Sequence, residues 1–143
     1  MLVIEEYERA KARGANDAPE IGALLVRGIT PAQISAVWRG RWHGGLGFTE
    51  KHCAPISIDI GSHGLHAVGA AMAAQRLGED SVTVAFVGDG GTSEGDMHEA
   101  LNMAAVTSAP CVFFVQNNGW AISVPVRHQQ AGPSIAHRAI GYG

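Results

Sequence analysis

The feature that most constrains the fold is a pair of short, apolar, β-branched runs separated by a helical segment. Residues 81–87 read SVTVAFV and Cys111–Gln116 reads CVFFVQ, and turn-forming residues bound both runs. Such runs predict buried strands. Between them, residues 92–106 carry apolar side chains at helical spacing. Strand, helix and strand form a right-handed crossover unit, so we expect the two strands to be parallel.

Other segments extend this pattern to an α/β fold, in which helices flank a parallel sheet. Residues 5–13 and Pro31–Trp38 are predicted helices, the second with Thr30 as its N-cap. The alanine-rich residues 66–77 predict a third helix, which ends at Gly78. Residues 40–55 lose all periodicity and are predicted to be loop. We expect a single domain over residues 1–143, with an atypical segment at 1–20.

Composition excludes several classes of function. A net charge of −3 over 143 residues gives no overall field that would attract nucleic acid or a membrane surface. No apolar stretch approaches the roughly 18 residues of a membrane span, and the acidic first residues do not resemble a secretory leader. Two distant cysteines suggest neither a disulfide framework nor a zinc site. We therefore expect a cytoplasmic protein with no nucleic-acid or membrane partner.

Polar and glycine residues follow each predicted strand at the same edge of the sheet. Gly88-Asp89-Gly90-Gly91 comes after the first strand and Asn117-Asn118-Gly119 after the second, and neighbouring strands lie about 4.8 Å apart. Glycine N–H groups at a helix start can hold a phosphate. Asp89 would repel that phosphate unless a divalent cation lay between them. Mg²⁺ fits this role, with Asp89 and the Asn118 amide oxygen as ligands and the Trp120 carbonyl as a further candidate.

Each of these motifs has a simpler interpretation when it is taken alone. A Gly-Asp turn after a strand, or an Asn-Gly turn, is usually structural. His63 and His66 have a spacing at which two side chains could meet a metal, but structural or substrate-lining roles are the alternative. It is the joint occurrence at both ends of one crossover unit that favours a binding site.

These motifs and the segments around them resemble a known protein family. GDG, 26 residues and then Asn117-Asn118 resembles the thiamine diphosphate motif. FVGDGGTSEGDMHEALNMAAV and APCVFFVQNNGWAISVP resemble the alpha subunit of the pyruvate and branched-chain 2-oxoacid dehydrogenase components. The loop GRWHGGLGFTEKHCAPISIDIGSHGLHAVGAA and the ending IAHRAIGYG resemble the branched-chain type in particular. The resemblance covers roughly residues 20–143.

The resemblance implies a set of site residues. The Mg²⁺ ligands would be Asp89, Asn118 and the carbonyl of Trp120. The residues implied to contact thiamine diphosphate are Ile58, Ile60, Gly88, Asp89, Gly90, Gly91 and Asn118. Ser57, Ser62 and His63 occupy positions where branched-chain members hold a potassium ion, although Asp59 and His63 differ from the usual residues there. No catalytic residue is implied in this chain, because the family's activating glutamate belongs to the beta subunit.

The resemblance also implies an activity and partners. The activity is oxidative decarboxylation of pyruvate or a branched-chain 2-oxoacid, with acyl transfer to lipoamide. The partners are a beta subunit and a lipoyl-bearing acyltransferase, in the cytoplasm or, for a eukaryotic protein, the mitochondrial matrix. Compared with the family, the chain is expected to be shortened at both ends, and the usual tyrosine-arginine pair is missing near Ala18-Pro19.

Two alternatives to that activity stay open. One is a non-catalytic cofactor-binding or assembly module that keeps the metal motif without turnover. The other is a different thiamine diphosphate enzyme, such as a transketolase-like half protein. Such a protein shares GDG and the second asparagine but lacks the SEGD and AISVP surroundings found here.

Overall fold

A computed structural model describes residues 2–3, 19–41, 47, 49–54 and 58–143. The chain divides into two compact units, Met1–Ile56 and Ser57–Gly143. The predicted helix at residues 5–13 and much of the predicted loop at 40–55 lie outside the described residues. The expectation of one domain over residues 1–143 stays a prediction.

The first unit contains strand β1 (Leu2–Val3) and helices α1 (Pro19–Val26) and α2 (Pro31–Trp38). Helix α2 has the predicted bounds and the predicted N-cap. The Thr30 hydroxyl accepts a hydrogen bond from the Gln33 N–H at 3.3 Å, and the Gln33 side-chain oxygen accepts from the Thr30 N–H at 2.8 Å. This capping box satisfies two N–H groups at the helix start, which explains why the helix begins at Pro31.

Helix α1 was not predicted from the sequence, although its proline at the first position is a recognised start signal. It ends where Gly28 adopts a positive φ of 78° and donates its N–H to the Leu25 carbonyl at 2.9 Å. Leu24, Ile29 and Ile34 are buried and form the core of this unit.

The second unit is built on the predicted crossover. Strand β2 (Thr83–Gly88) pairs in parallel with strand β3 (Cys111–Gln116), from Thr83 opposite Cys111 to Gly88 opposite Gln116. The α/β class with a parallel sheet and flanking helices is therefore confirmed. Strand β2 alternates buried and half-buried residues. The prediction of a buried β3 was wrong, since it has no fully buried residue and a parallel strand is enclosed only where helices cover both faces.

Helix α3 (Ser62–Leu77) begins four residues earlier than predicted and ends at the predicted Gly78. Gly78 adopts the left-handed conformation at φ 70°, where a side chain would be strained. Ala67 and Ala71 are fully buried within this unit. A Cβ at Gly64 would lie 2.5 Å from the Met97 sulfur, so small residues on α3 allow a neighbouring helix to pack closely.

That neighbour is helix α4 (Gly95–Thr107), which a short 3₁₀ turn (Gly90–Ser93) precedes. The sequence predicted one helix from residue 92, and the structure divides it because the glycine-rich turn is wound more tightly. Met97 is buried, whereas Met103 is 46% exposed and does not belong to the core.

After β3, the chain forms an antiparallel hairpin, a 3₁₀ turn and a short helix. These are β4 (Trp120–Ala121), β5 (Val124–Pro125), the turn Val126–His128 and α5 (Ala136–Ile140). Over the described ranges, no helix combines the length and apolar character that crossing a membrane requires.

Candidate functional site

The candidate site lies where β2 and β3 end side by side. Gly88 is paired with Gln116, and the Asp89 N–H donates to the Gln116 carbonyl at 3.3 Å. The parallel register therefore brings the turn after β2 and the turn after β3 to one edge of the sheet, as predicted. Ligands of open parallel sheets bind at this edge.

Asp89 is almost completely buried, with 2% of its surface exposed. Its Oδ2 atom is buried and has no hydrogen-bond partner within the described part of the chain. A buried polar atom left unpaired costs about 1–3 kcal/mol, and a charged one costs more. A hard divalent cation would pair this oxygen, so the carboxylate fits the role of a metal ligand.

Thr92 holds the backbone of Asp89 through two hydrogen bonds. The Thr92 hydroxyl donates to the Asp89 carbonyl at 2.6 Å, and the Thr92 N–H donates to the same oxygen at 3.1 Å. Thr92 itself is 5% exposed. Two hydrogen bonds to one carbonyl restrict the turn and therefore the direction of the Asp89 side chain.

Gly90 and Gly91 lie at close approaches that a side chain would block. A Cβ at Gly90 would lie 2.5 Å from the Ala121 Cβ, and one at Gly91 would lie 2.7 Å from Val87 Cγ2. These two residues begin the 3₁₀ turn, and the first N–H groups of a helical turn have no partner within it. The turn therefore offers backbone donors and no bulk, which suits a phosphate oxygen.

The two asparagines after β3 each close a turn on their own backbone. Asn117 Oδ1 accepts from the Gly119 N–H at 2.9 Å, and Asn118 Oδ1 accepts from the Trp120 N–H at 2.9 Å. Both asparagines are exposed. An amide oxygen has two lone pairs, so Asn118 Oδ1 keeps one for a ligand. These bonds also orient the chain into β4, which begins with the half-exposed Trp120.

The two predicted isoleucines differ in their surroundings. The Ile60 Cγ2 atom lies 3.4 Å from where a Cβ of Gly91 would stand, so it adjoins the glycine turn. Ile58 is 93% exposed. Both isoleucines are exposed and are available to a ligand or a partner.

Three residues of this region were not singled out from the sequence. Ala121 packs against Gly90, Gln129 lies 3.5 Å from the Ser93 hydroxyl, and Arg138 Nη1 donates to the Thr92 carbonyl and hydroxyl. Ser93 makes no capping bond to α4 and contacts Gln129 instead. These contacts join residues far apart along the chain, so no local pattern signals them.

A cavity of about 480 Å³ adjoins the site on the side of α5. Its lining is largely apolar, with Met97, Leu101, Phe113 and Val115 among the residues, and it shares Thr92 and Asn117 with the site. Arg138 also lines it, but this guanidinium donates to Thr92, and the remaining apolar walls cannot compensate a diphosphate charge. The polar strand ends, and not this cavity, therefore carry the candidate phosphate and metal positions.

The histidines and cysteines offer no competing metal centre. Among the described residues, no group of three or more His, Cys, Asp or Glu side chains could hold a metal. Burial lowers the pKa of His63 below its usual 6.5 and raises the pKa of the Cys111 thiol to about 11. The Ser62 hydroxyl donates to the Asp59 carbonyl at 3.3 Å, while Ser57 lies outside the described residues.

Comparisons with known proteins find similarity to dehydrogenase components. The family described as "Dehydrogenase E1 component" matches residues 19–143. A 3-methyl-2-oxobutanoate dehydrogenase subunit alpha of Mycobacterium tuberculosis is 71% identical over 124 residues, which are 87% of this chain and 34% of that protein. The Pyruvate dehydrogenase E1 component subunit alpha of Acholeplasma laidlawii is 37% identical over 87% of this chain and 36% of its own length.

A human relative is similar over a shorter range. The mitochondrial 2-oxoisovalerate dehydrogenase subunit alpha of Homo sapiens is 43% identical over 97 residues, which are 68% of this chain and 22% of that protein. The chain thus spans about a third or less of the length of these curated relatives.

Proposed function

Because the chain belongs to the dehydrogenase E1 component family, we propose that it forms the thiamine diphosphate and Mg²⁺ binding part of a 2-oxoacid dehydrogenase alpha subunit. The observation that carries the proposal is the Oδ2 atom of Asp89, which is buried beside a glycine turn at the sheet edge and has no partner among the described residues. A cation at this carboxylate would also meet a diphosphate on the glycine turn. The carboxylate and the glycine turn therefore support binding of a metal ion together with a diphosphate.

The metal would be held by oxygen atoms of this chain. Asp89 supplies the charged ligand, Asn118 a neutral amide oxygen and Trp120 its backbone carbonyl. Mg²⁺ is typically bound through one or two carboxylates together with phosphates and water, so a protein set with a single carboxylate would leave positions for phosphate oxygens and water.

The diphosphate would be bound by the backbone between Gly88 and Gly91. Gly90 and Gly91 present N–H groups at the start of a turn, where backbone donors can hold a phosphate, and their missing Cβ atoms let Ala121 and Val87 pack against this turn. Ile58 and Ile60 are placed to contact the organic rings, and Ile60 already adjoins Gly91.

Thiamine diphosphate, when bound, supplies the nucleophilic carbon and the electron sink of oxidative decarboxylation. The residues of this chain bind and orient it. We do not propose that any of them carries a proton. The resemblance assigns that role to a glutamate of the beta subunit. The product acyl group would pass to lipoamide on an acyltransferase partner.

A beta subunit is the proposed partner at this site. Exposed apolar side chains surround the strand ends, and Ile58, Ile60, Trp120, Ile122 and Val124 are each at least 44% exposed. Apolar residues concentrated around a binding site favour a surface that another subunit covers. The 71% identical relative acts on 3-methyl-2-oxobutanoate by its name, so we propose a branched-chain 2-oxoacid as the substrate in preference to pyruvate.

Reconstitution tests this function. The chain is combined with its beta subunit, thiamine diphosphate and Mg²⁺, and decarboxylation of 3-methyl-2-oxobutanoate and of pyruvate is followed with an artificial electron acceptor. We expect Mg²⁺-dependent turnover that is faster with the branched substrate. Cofactor binding without turnover would support the non-catalytic alternative, and turnover faster with pyruvate would contradict the substrate assignment.

A further inference from the structure

One contact of the candidate site comes from the far end of the second unit. Arg138, on α5, donates from Nη1 to the carbonyl oxygen of Thr92 and, at 3.2 Å, to its hydroxyl. The same hydroxyl donates to the Asp89 carbonyl at 2.6 Å. A continuous hydrogen-bonded chain therefore runs from the guanidinium of Arg138 through Thr92 to the backbone of Asp89.

We propose that Arg138 is a positioning residue for the metal site, which acts through Thr92 to hold the Asp89 carboxylate in the direction that a divalent cation requires. The part of this inference that concerns the metal rests on the proposed function. The part that concerns the turn rests on the contacts alone. We refer to the contact between Arg138 and Thr92 as the arginine latch.

The chemistry of the three groups fixes which one donates and which one accepts each hydrogen bond. A hydroxyl has one proton to donate, and Thr92 gives it to the Asp89 carbonyl, so it faces Arg138 as an acceptor. A guanidinium is a permanent cation with donors only. A hydroxyl that accepts a hydrogen bond from a cation becomes a stronger donor itself. Arg138 therefore strengthens the hydrogen bond that Thr92 donates to the Asp89 carbonyl.

A direct role in binding the metal is excluded for Arg138 by its charge. A guanidinium has no lone pair to give to a cation. A guanidinium also repels a cation through space, so any gain in affinity that Arg138 gives a cation at Asp89 must come from the geometry of the turn. Second-layer groups of this kind typically change metal affinity by about 10–100-fold when they are removed.

A purely structural role, in which Arg138 only anchors α5, makes a different prediction. The same segment has a second anchor, because Tyr142 lies 2.6 Å from His98 Nδ1 through its hydroxyl. Loss of Arg138 would leave the Tyr142 anchor in place and loosen the turn. Loss of the Tyr142 hydroxyl would loosen the segment and leave the arginine latch in place. The pair of variants Arg138→Met and Tyr142→Phe thus separates the two roles.

Hydrogen exchange of the chain without ligands tests the latch independently of the metal. The reporters are the N–H groups of Thr92 and Glu94, which bond the Asp89 and Gly91 carbonyls at 3.1 and 3.2 Å. We expect both to exchange roughly tenfold faster in Arg138→Met, with the β2 amides unchanged and with wild-type rates in Tyr142→Phe. Equal acceleration in both variants, or none in Arg138→Met, would overturn the latch.

Titration with Mg²⁺ at saturating thiamine diphosphate tests the link to the metal. We expect an apparent Mg²⁺ affinity about 10–100-fold weaker in Arg138→Met and weaker in Thr92→Val, whereas Thr92→Ser, which keeps the hydroxyl, matches the wild type. Arg127→Met, which removes an exposed arginine from a neighbouring turn, is the charge control and should bind normally.

The outcomes of the two experiments are distinguishable. If the wild-type chain shows no Mg²⁺-dependent binding, the proposed function fails, and the exchange rates alone decide the latch. If the wild type binds and Arg138→Met binds equally well, the positioning role is overturned. If Arg138→Met does not fold, Thr92→Val and Thr92→Ser decide, because equal Mg²⁺ affinities in these two variants would overturn the proposal.

Discussion

At the scale of single residues, the environment of a side chain decides whether it is charged and what it can bind. Asp89 and His63 each bury a polar atom that has no hydrogen-bond partner within the described residues. For the carboxylate, the cation that we propose would relieve the cost of burial. For the imidazole, loss of the proton does so, because a neutral ring is cheaper to bury than a charged one.

The buried state of His63 predicts a pH dependence of stability. Burial is the main cause that lowers the pKa of His63 in the folded chain below the 6.5 of the unfolded chain, and a hydrogen bond to the Phe86 backbone acts in the opposite direction. Because the folded pKa is the lower one, the unfolded state binds the extra proton. Above about pH 6.5, His63 is neutral in both states and does not reduce the free energy of unfolding. As the pH falls below that value, His63 destabilises the fold.

Urea unfolding between about pH 7 and about pH 5 measures this effect. The variant His63→Gln should lose less stability over that range than the wild type, while His128→Gln, which removes an exposed histidine, should lose as much as the wild type. Parallel pH profiles for His63→Gln and the wild type would show that His63 does not contribute.

At the scale of elements, the strands and helices were largely predictable, whereas the contacts between them were not. The bounds of α2 and β3 follow from capping and from a run of β-branched residues, which are local signals. In the 3₁₀ turn that precedes α4, Gly90 packs against Ala121. Ala121 follows β3, so no pattern around Gly90 reveals this contact.

The close approach at Gly90 gives a prediction for the site turn. In Gly90→Ala the new Cβ would meet the Ala121 Cβ at 2.5 Å and its Cα at 3.3 Å, and a backbone atom cannot move aside easily. We expect a loss of about 1–3 kcal/mol in unfolding free energy, together with loss of Mg²⁺-dependent cofactor binding in calorimetric titration.

Gly95→Ala is the matched control, because no atom lies within 4 Å of its ideal Cβ. It should bind the cofactor normally and leave stability unchanged or slightly higher, since alanine suits a helix better than glycine. Equal effects of the two substitutions would show that the contact with Ala121 does not shape the turn.

The capping box of α2 gives an independent prediction for the first unit. Thr30→Ala removes the hydroxyl that accepts from the Gln33 N–H, and the loss of such a cap costs about 1 kcal/mol. Thr30→Ser keeps the acceptor and should cost much less. Circular dichroism during chemical unfolding measures both variants, and equal stability of the two would contradict a role for the cap.

At the scale of the whole molecule, the candidate site was predictable in part. Asp89, the glycine turn and the asparagines could be placed at one sheet edge, because parallel strands end side by side. The burial of Asp89 and its hydrogen-bonded connection to Arg138 could not be foreseen, since they depend on α5 packing beside a turn that lies 46 residues away in sequence.

The surroundings of the site also suggest how this part of the molecule functions. The segments before α3 and after β3 carry exposed isoleucine, tryptophan and valine side chains, and the chain matches about a third of its M. tuberculosis relative. The proposed metal ligands all belong to this chain, whereas the proposed turnover also needs a beta subunit. Cofactor binding is therefore the part of the proposal that this chain can test by itself.

Calorimetric titration of the chain with thiamine diphosphate, with and without Mg²⁺, tests this claim most directly. We predict saturable binding that requires Mg²⁺, unchanged in Asp96→Asn, which removes an exposed carboxylate near the same turn. In Asp89→Asn, binding should weaken by at least about tenfold, since even outer-layer substitutions at metal sites cost about 10–100-fold. Binding that does not depend on Mg²⁺, or equal affinity in Asp89→Asn and the wild type, would contradict the account.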